Sequence, residues 1–586
     1  MTAPQPNWWK TGTAYQIWPA SYKDSNGDGI GDIPGIVSTL DYLKDLGTDI
    51  IWLSPMYDSP QKDYGYDISD YQGIYPSFGT MKDMDNLIEE CHKRDMKIIL
   101  DLVVNHTSDR HAWFLESKKN KTNSKADWYI WKNAKMVNGE RHPPNNWSAI
   151  FGGSAWEWVE ERQQYYLHLF VTEQPDLNWE LEEVRRAIEK EAIAFWLDKG
   201  VNGFRVDTCN LYSKDVTYPD AKIVLPDEAY QPAFEHYVNG PKMHDWLQEQ
   251  RKHCLDKYGD ILMVGECPSS DDTTLLSYVA RDRNEFSCVF DFQAVDLGTN
   301  RTFGGKKHQS YKHQLPEFKE ALAKVQRLIQ NYDAWGTIFL ENHDQARCVS
   351  RFATDSSKYR EAAAKMLALC ITSLTGTLFL YQGQEIGTYN HSAEWTVGDL
   401  RDVDSINAYN DVKYRYNNDP VWNRKAMKGL ATVGRDNARL PVQWSGEANG
   451  GFTDANVKPW IRCHDDYKNV NIAEQLQRAD SPLKFYQRMI KLREEYRDLM
   501  TLGDFELHDI WEQKTFTFVK KNKGAGEEGG SKQEMLVVCS FSDEEEPIDM
   551  PKRLQGRLSE LLVSTLGEES AGKYLRPWEG RIYLIK

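Results

Sequence analysis

The sequence has no run of about 18 apolar residues, the length that a helix needs to cross a bilayer. Its first ten residues, MTAPQPNWWK, show no charged segment followed by an apolar one, so no secretory leader is predicted. Its nine cysteines are odd in number and lack paired spacing, which favours reduced thiols over a disulfide framework. These absences predict a cytoplasmic protein with no membrane partner.

The sequence also has too little positive charge for a typical nucleic-acid-binding protein. It contains 71 Lys and Arg against 88 Asp and Glu, a formal net charge of −17, whereas nucleic-acid binding depends on basic patches. A glycine-rich phosphate loop, a serine nucleophile elbow and zinc-type His/Cys spacing are missing too. We therefore expect no nucleic-acid partner and no organic cofactor.

What the sequence has is length and aromatic residues. Its 586 residues suggest two or three domains, or one barrel enlarged by insertions. The aromatic content of 12%, with 20 Trp and 30 Tyr, suits binding of flat ring-shaped ligands such as sugars.

Strand-like apolar segments alternate with amphipathic helices, which is typical of a parallel sheet covered on both faces. One predicted helix has Ile36, Leu40, Leu43 and Leu46 on one face and ends at Gly47. Eight strand segments, the number of a (β/α)8 TIM barrel, are AYQIWP, DIIWLSP, KIILDLVV, NGFRVD, ILMVGE, CVFDF, TIFLEN and TLFLYQG.

Two stretches interrupt the barrel pattern. The sequence predicts barrel over 1–104, an inserted subdomain over 105–174, barrel again over 175–502 with an insertion at about 388–445, and a C-terminal antiparallel β-sandwich over 503–586. Both insertions follow barrel strands, on the face where barrel enzymes build active sites. The polar stretch KKNKGAGEEGGSK in the last domain predicts a loop.

Charged and polar residues cluster where these strands end. Since the carboxyl ends of barrel strands share one rim, such side chains are expected to converge on one site. The residues are Asp101, Asn105, His106, Arg205, Asp207, Glu266, His343 and Asp344.

Two carboxylates with opposed protonation suit glycoside hydrolysis, in which one attacks the sugar carbon and the other protonates the leaving oxygen. Arg205, two residues from Asp207, should lower the pKa of Asp207 and keep its carboxylate ionised, which favours Asp207 as the nucleophile. Glu266, in the apolar context MVGEC, should have a raised pKa and serve as the general acid/base. The charge of Asp344 should help to hold that pKa up.

The motifs DLVVNH, GFRVD, VGE and ENHD, in this order, resemble those of the α-amylase superfamily, glycoside hydrolase family 13. QPDLNW, GTLFLYQGQEIG, RDNARLPVQW and LRPWEGRIY are similar to the branch of oligo-1,6-glucosidases and fungal maltases. The resemblance implies a retaining mechanism with Asp207 as nucleophile, Glu266 as acid/base and Asp344 as stabiliser of the transition state.

The same resemblance implies a glucose pocket. Asp67 in GYDISDY and Arg439 in RDNAR would hold the 4- and 6-hydroxyls of the non-reducing glucose. His106 and His343 would hold other hydroxyls, with Tyr66 under the ring. Charged residues at the far side leave no room for a further sugar, so exo action is expected. For Asp67 and Arg439, a surface ion pair is the alternative.

The loop DSNGDGIGD places side-chain oxygens at alternate positions around glycines, a pattern able to surround a hard cation. An Asx-turn loop without metal is the alternative. The resemblance implies a structural Ca²⁺ bound by Asp24, Asn26, Asp28, Asp32 and the carbonyl of Ile30.

Thr208 follows the predicted nucleophile. In this branch Val at that position accompanies action on α-1,6 bonds, and Thr or Ala action on α-1,4 bonds, so Thr208 favours maltose-type substrates. A β-branched residue chosen for its shape is the alternative. Cys209 and Asn210 depart from the small residues often found there.

We therefore expect a maltase-type α-glucosidase acting on maltose, sucrose and short oligosaccharides, as a monomer or weak homo-oligomer. An isomaltase or a transglucosylase of the same fold is the alternative. A non-catalytic transporter heavy chain is disfavoured because all three acids are present and no span is found. A sugar sensor that kept the acids stays open.

Overall fold

The computed structural model describes residues 7–268, 270–299, 310–523, 533–567 and 572–585. Its centre is a sheet of eight parallel strands, and the predicted TIM-barrel fold is confirmed. The strands are β1 (Thr13–Ile17), β2 (Ile50–Leu53), β3 (Lys97–Leu102), β4 (Gly203–Val206), β5 (Leu262–Glu266), β6 (Cys288–Phe290), β7 (Thr337–Ile338) and β8 (Thr377–Tyr381). Their order in the sheet is β6-β5-β4-β3-β2-β1-β8-β7.

The barrel strands are apolar on both faces, as a sheet inside a ring of helices requires. Along β2, Ile50 and Trp52 belong to the cluster that fills the barrel. Ile51 and Leu53 pack outward among the helices. Inside the barrel, the ring of Trp52 lies 5.4 Å from that of Phe290. The interior is therefore a packed core, and a ligand must bind at one end of it.

The helices surround this sheet. Gly47 ends the first barrel helix in the left-handed region (φ 97°), as predicted, although two helices stand where the sequence suggested one. Their bounds are Trp8–Thr11, Ile33–Val37, Leu40–Leu46, Met81–Lys93, Ala112–Ser117, Glu182–Ile188, Glu189–Ala194 (a π-helix), Phe195–Asp198, Phe234–Tyr237, Met243–His253, Asp272–Val279, Gln293–Asp296, Leu315–Asn331, Cys348–Phe352, Arg360–Thr372, Val403–Arg415, Pro420–Val433, Ile472–Gln477, Pro482–Glu495 and Arg497–Met500.

The segment between β3 and the next barrel helix forms a small antiparallel sheet of Trp131–Lys132, Gln164–Leu167 and Trp156–Val159, with a hairpin of Lys135–Val137 and Glu140–His142. Its apolar cluster also includes Leu211, Ala233 and Tyr237 from the loop after β4. The two loops therefore pack as one body above the barrel.

The segment after β8 contains helices Val403–Arg415 and Pro420–Val433. They share a small apolar core with the surrounding loops, formed by Trp395, Leu400, Leu430, Leu440 and Ile461. Both inserted segments lie beyond the carboxyl ends of the barrel strands, and a cavity remains between them.

The C-terminal region is a five-stranded antiparallel sheet of β9 (Asp504–His508), β10 (Thr515–Lys521), β11 (Glu534–Ser540), β12 (Leu558–Ser564) and β13 (Gly580–Ile585), in the order β9-β10-β11-β13-β12. A short pair, Glu546–Pro547 with Tyr574–Leu575, accompanies it. Most of the polar stretch predicted as a loop, 524–532, lies outside the described residues.

None of the helices in the described ranges is both long and apolar enough to span a membrane.

Candidate active site

A cavity of about 1020 Å³ opens at the carboxyl ends of the barrel strands. Its walls come from strand ends, from the inserted segment after β3, and from the loops after β4, β6 and β8. The predicted residues that line it are Tyr66, His106, Asp207, Thr208, Glu266 and Asp344. Tertiary folding thus brings the three predicted catalytic acids to one cavity.

Strand β4 must approach β5 closely for Asp207 and Glu266 to reach the same cavity. At Gly203, which has a φ of 147°, a Cβ atom would lie 1.9 Å from the Leu262 carbonyl oxygen, so only glycine fits. The strand then carries Arg205 into the centre of the acid cluster, where the side chain is 1% exposed.

Arg205 binds three carboxylates. Its Nη1 donates to Asp101 Oδ1 and to Asp207 Oδ1, both at 2.6 Å, and its Nη2 lies 2.8 Å from Glu266 Oε1. Asp207 and Glu266 therefore sit on neighbouring nitrogens of one rigid guanidinium fork. This arrangement favours the short carboxylate separation of retaining glycosidases, about 5–5.5 Å, over the wider spacing of inverting ones.

The sharing of Arg205 changes one expectation. Burial raises the pKa of Asp207 above its ordinary value, and Arg205 only partly opposes this rise. Arg205 does lower the pKa of Asp207, as predicted, but burial outweighs this effect and the pKa lies above its ordinary value. A single guanidinium divides its charge among three buried carboxyls, and the Asp101 and Asp344 charges also disfavour ionisation of Asp207.

Glu266 shows the raised pKa expected of a general acid. Burial, opposed by Arg205 and supported by the charges of Asp207 and Asp344, raises the pKa of Glu266 to about 7. The carboxyl is held in place because Glu266 Oε2 accepts a hydrogen bond of 2.9 Å from the Thr208 backbone N–H. Glu266 can therefore donate a proton near neutral pH.

Asp344 lines the cavity and is held by two arginines. Its Oδ1 accepts hydrogen bonds from Arg435 Nη1 at 3.1 Å and from Arg439 Nη2 at 2.9 Å. Its side chain is 27% exposed, more than those of Asp207 (8%) and Glu266 (10%). Asp344 is thus positioned to present a carboxylate to a bound ligand.

The structure corrects the predicted sugar-binding pair Asp67 and Arg439, neither of which lines the cavity. The carboxylate of Asp67 accepts hydrogen bonds from Ser59 Oγ and from two backbone N–H groups, those of Lys62 and Asp63. Asp67 therefore shapes its own loop. Arg439 is buried, with its guanidinium 4.7 Å from the Trp18 ring centroid, and reaches the site only through Asp344.

Asp63 and Arg435, each four residues earlier in the sequence than Asp67 and Arg439, take the predicted place at the cavity. Both residues line the cavity, and Arg435 Nη2 lies 3.4 Å from Asp63 Oδ1. Arg435 Nε also donates to Asp402 Oδ1 at 2.8 Å, and Gln174 Nε2 donates to Asp63 Oδ2 at 3.2 Å. This buried network closes one end of the cavity. Sequence reasoning found both regions, and in each of them the structure places the residue four positions earlier at the cavity.

The predicted aromatic and histidine residues form a connected group. His106 lines the cavity and its Nε2 lies 3.1 Å from the Tyr66 carbonyl oxygen. His343 does not line the cavity: its ring nitrogens contact Gln16 Nε2 and Tyr66 Oη, both at 2.7 Å. Burial lowers the pKa of His106 to about 4 and that of His343 to about 3, so both imidazoles are neutral. The structure thus shows His343 positioning Tyr66.

Thr208, next to Asp207, has a φ of 39°, a conformation that β-branched residues rarely adopt. This turn directs its N–H to Glu266 and places Thr208 Oγ1 3.2 Å from Asp207 Oδ2. The residue also lines the cavity. Thr208 therefore contacts Asp207, Glu266 and the cavity at once.

Cys209 and Asn210 support the wall behind this turn. Cys209 Sγ lies 3.1 Å from Cys267 Sγ, and burial raises the pKa of the Cys209 thiol well above its ordinary value, so the thiol is unreactive. Asn210 Nδ2 donates to the Pro268 carbonyl at 2.8 Å. These contacts join the ends of β4 and β5 and keep the two carboxylate-bearing strands in register.

The predicted calcium loop is a series of Asx turns. Asp24 Oδ1, Asn26 Oδ1 and Asp28 Oδ1 accept backbone N–H groups two residues further on. Burial together with the nearby Asp24 and Asp32 charges raises the pKa of Asp28, a repulsion that a cation would relieve. Yet no three His, Cys, Asp or Glu side chains in the described ranges are arranged to hold a metal ion. The donor chemistry suits a hard cation, but the loop is not a closed coordination shell.

The chain matches known proteins over its full length. The family model for alpha-amylase, catalytic domain, matches residues 16–503. An alpha-glucosidase of Candida albicans is 44% identical and an oligo-1,6-glucosidase of Saccharomyces cerevisiae 40% identical, each aligned over 99% of this chain and at least 98% of the relative. A crystal structure of an isomaltulose synthase mutant from Erwinia rhapontici superposes with a TM-score of 0.90 at 36% identity, covering 100% of both chains.

Proposed function

Because this chain belongs to the alpha-amylase family of glycoside hydrolases, we propose that it is a retaining, exo-acting α-glucosidase. The observation that carries the proposal is Arg205, which binds both Asp207 and Glu266 at the wall of a cavity closed at one end. In this proposal the enzyme releases glucose from the non-reducing end of maltose, sucrose and short α-1,4-linked oligosaccharides.

The reaction has two steps. In the first, the Asp207 carboxylate attacks the anomeric carbon, the glycosidic bond breaks, and the Glu266 proton passes to the leaving oxygen. In the second, Glu266, now ionised, takes a proton from water, whose oxygen displaces Asp207 and yields α-glucose. The intermediate is a β-glucosyl ester of Asp207. The pKa of about 7 lets Glu266 act as acid and then as base at the same pH.

Exo action follows from the closed end of the cavity. The Asp63 and Arg435 side chains are buried, line the cavity and bind one another. In the proposed binding mode they leave no space for a sugar that precedes the terminal glucose. Their hydrogen-bonding atoms suit the hydroxyls of a terminal glucose. A sugar unit in the interior of an oligosaccharide has no free non-reducing end and therefore does not fit against Asp63 and Arg435.

Thr208 carries the preference for α-1,4 bonds, because its Oγ1 lies beside Asp207 Oδ2 at the cavity wall. Replacing Thr208 with Val removes this hydroxyl at nearly constant shape. We expect isomaltose turnover relative to maltose to rise about 10-fold or more, a change typical for altered contacts in a specificity pocket. Parallel kcat/KM measurements on maltose, isomaltose and sucrose test this. A dominant isomaltase activity in the unchanged enzyme would favour the oligo-1,6-glucosidase alternative and refute the role of Thr208.

Transfer of glucose to a second sugar is the other alternative, and the similar fold of an isomaltulose synthase keeps it open. Product analysis distinguishes the two. With maltose at low and at high concentration, a hydrolase releases glucose alone. New trisaccharides at high concentration would show transfer.

We propose further that the loop 24–32 binds a structural Ca²⁺ through Asp24, Asn26, Asp28, Asp32 and the carbonyl of Ile30. The proposal is supported by the oxygen-rich donor set and by the raised pKa of Asp28, which is caused by burial and by the nearby charges of Asp24 and Asp32. Added Ca²⁺ should raise the melting temperature, EDTA should lower it, and Asp28→Asn should reduce both effects without changing the pH profile. An unchanged melting temperature in all three conditions would leave the loop without a metal.

The expected setting is the cytoplasm, with a monomer or weak homo-oligomer as the active form. All nine cysteines lie in the described ranges and are free thiols, which suits a reducing compartment. Sedimentation of the purified protein tests the oligomeric state.

A further inference from the structure

One face of helix Val403–Arg415 forms a wall of the cavity. Five of the six helix residues that line the cavity recur at the spacing of a single helical face, namely Asp404, Asn407, Ala408, Asp411 and Arg415, and Asn410 lies beside them. From Asp404 to Arg415 the helix rises about 16 Å at 1.5 Å per residue. The helix therefore runs along the cavity for a distance that suits a short oligosaccharide.

The start of this helix is fixed at the closed end of the cavity. Asp402 caps the helix by accepting a hydrogen bond from the Ser405 N–H. The same carboxylate accepts from Arg435 Nε at 2.8 Å, and Arg435 binds Asp344. The distance from the glucose pocket to Arg415 is thus set by one rigid helix.

The far end of the helix is joined to the opposite side of the cavity. Arg415 Nη2 lies 2.5 Å from Glu228 Oε1, and Arg415 Nε lies 2.6 Å from Asp411 Oδ1. Glu228 belongs to the loop after β4, which forms the other wall. The side chains of Arg415 and Glu228 are each 29% exposed, as expected for groups at the mouth of the cavity.

The loop that carries Glu228 is braced. The Gln231 side chain accepts the Val224 and Leu225 N–H groups and donates to the Leu225 and Glu228 carbonyl oxygens. The Ser148 N–H donates to the Gln231 carbonyl at 2.8 Å, which ties the loop to the inserted segment after β3. Glu228 is therefore a fixed partner for Arg415.

A second contact joins the helix to the inserted segment after β3, nearer to the start of the helix. Asn407 Nδ2 donates to the Phe151 carbonyl oxygen at 3.3 Å, and both residues line the cavity. The helix thus meets the opposite wall at two levels, and the Arg415–Glu228 pair is the outer one.

We propose that the Arg415–Glu228 ion pair is the end stop of the cavity and sets the longest oligosaccharide that the enzyme accepts efficiently. The inference rests on the proposed function. A chain whose terminal glucose lies against Asp63 and Arg435 extends along the helix towards Arg415. A short substrate ends before the pair, whereas a longer one must break it.

The test compares kcat/KM across maltose, maltotriose and longer maltooligosaccharides in the wild type, Glu228→Gln and Arg415→Ala. We expect the longest substrates to gain about two- to fivefold relative to maltose in Glu228→Gln, since exposed ion pairs stabilise weakly. Arg415→Ala also removes the bulk of the side chain and should gain more. Raising the ionic strength should also raise kcat/KM of the longest substrates relative to maltose in the wild type, because salt screens exposed ion pairs. In Arg415→Ala, which has no such pair, the same increase in salt should leave this ratio unchanged.

Glu361→Gln is the matched control. Glu361 Oε1 pairs with Arg478 Nη2 at 2.7 Å, with exposures of 34% and 35%, and neither residue lines the cavity. This variant should keep the wild-type chain-length profile. If the wild type hydrolyses maltose but neither variant nor salt changes that profile, the end stop is refuted. If the wild type hydrolyses no α-glucoside of the series, the proposed function fails, and the end stop with it.

Discussion

Replacing Asp207 with Ala is expected to lower kcat for maltose by at least about 10⁴-fold, because no other group can form the covalent intermediate. The substitution removes the proposed nucleophile, while the proposed glucose-binding residues Asp63, Arg435 and His106 stay in place at the cavity. Binding of glucose should therefore survive the substitution.

The fold should survive too. Arg205 keeps its ion pairs with Asp101 and Glu266 when Asp207 is removed. The loss of one of three carboxyls that share a single guanidinium relieves repulsion, so the melting temperature should stay near that of the wild type. Thermal unfolding followed by circular dichroism provides this control.

Azide gives the assignment a chemical signature. In Asp207→Ala with glucosyl fluoride, azide can enter the vacated space and displace fluoride directly, giving a β-glucosyl azide. A rescued product of this configuration identifies Asp207 as the nucleophile. Retention of wild-type hydrolysis in Asp207→Ala would contradict the assignment and favour a sugar-binding role for the protein.

Replacing Glu266 with Gln has the second largest expected effect. We expect kcat/KM for maltose to fall about 10²- to 10⁴-fold, the range that general acid catalysis contributes. The loss should be much smaller for 4-nitrophenyl α-glucoside, because its leaving group departs without a proton. The ratio of the two losses distinguishes a proton donor from a residue that only shapes the site.

The pH profile gives an independent measurement. Glu266 must be protonated in the first step, so kcat/KM of the wild type should decline as pH rises through its pKa of about 7. Gln cannot ionise, and this alkaline decline should vanish in Glu266→Gln.

Glu341→Gln is the control for this profile. Burial likewise raises the pKa of Glu341 to about 7, but the residue does not line the cavity. Its variant should keep the alkaline decline. A profile unchanged in Glu266→Gln, or one lost in Glu341→Gln, would remove Glu266 from its proposed role.

The sequence was sufficient for the barrel because strand period and helix period are local properties. Residues such as Ile50 to Leu53 are apolar without alternation, which only a strand covered on both faces tolerates. The position of Asp207, Glu266 and Asp344 at strand ends then follows from the barrel itself. Their shared location could therefore be predicted before any contact was known.

The choice between two candidates of the same residue type, four positions apart, could not be predicted. Asp63 and Asp67, or Arg435 and Arg439, lie four residues apart, and composition does not show which side chain faces the cavity. Loop backbone decides it, since Asp67 is held by the Lys62 and Asp63 N–H groups. The same holds for Arg415 and Glu228, which are far apart in sequence and meet only across the cavity.

The sequence by itself determined the fold, the family and the shared location of Asp207, Glu266 and Asp344, because these depend on periodicity and on motifs of adjacent residues. Only the tertiary structure decided how the positive charge of Arg205 is shared among the buried carboxyls of the site. Arg205 stands among Asp101, Asp207 and Glu266, so burial outweighs one guanidinium and raises the pKa of Asp207. Desolvation and long-range ion pairs depend on every wall of a site, and no single segment contains them.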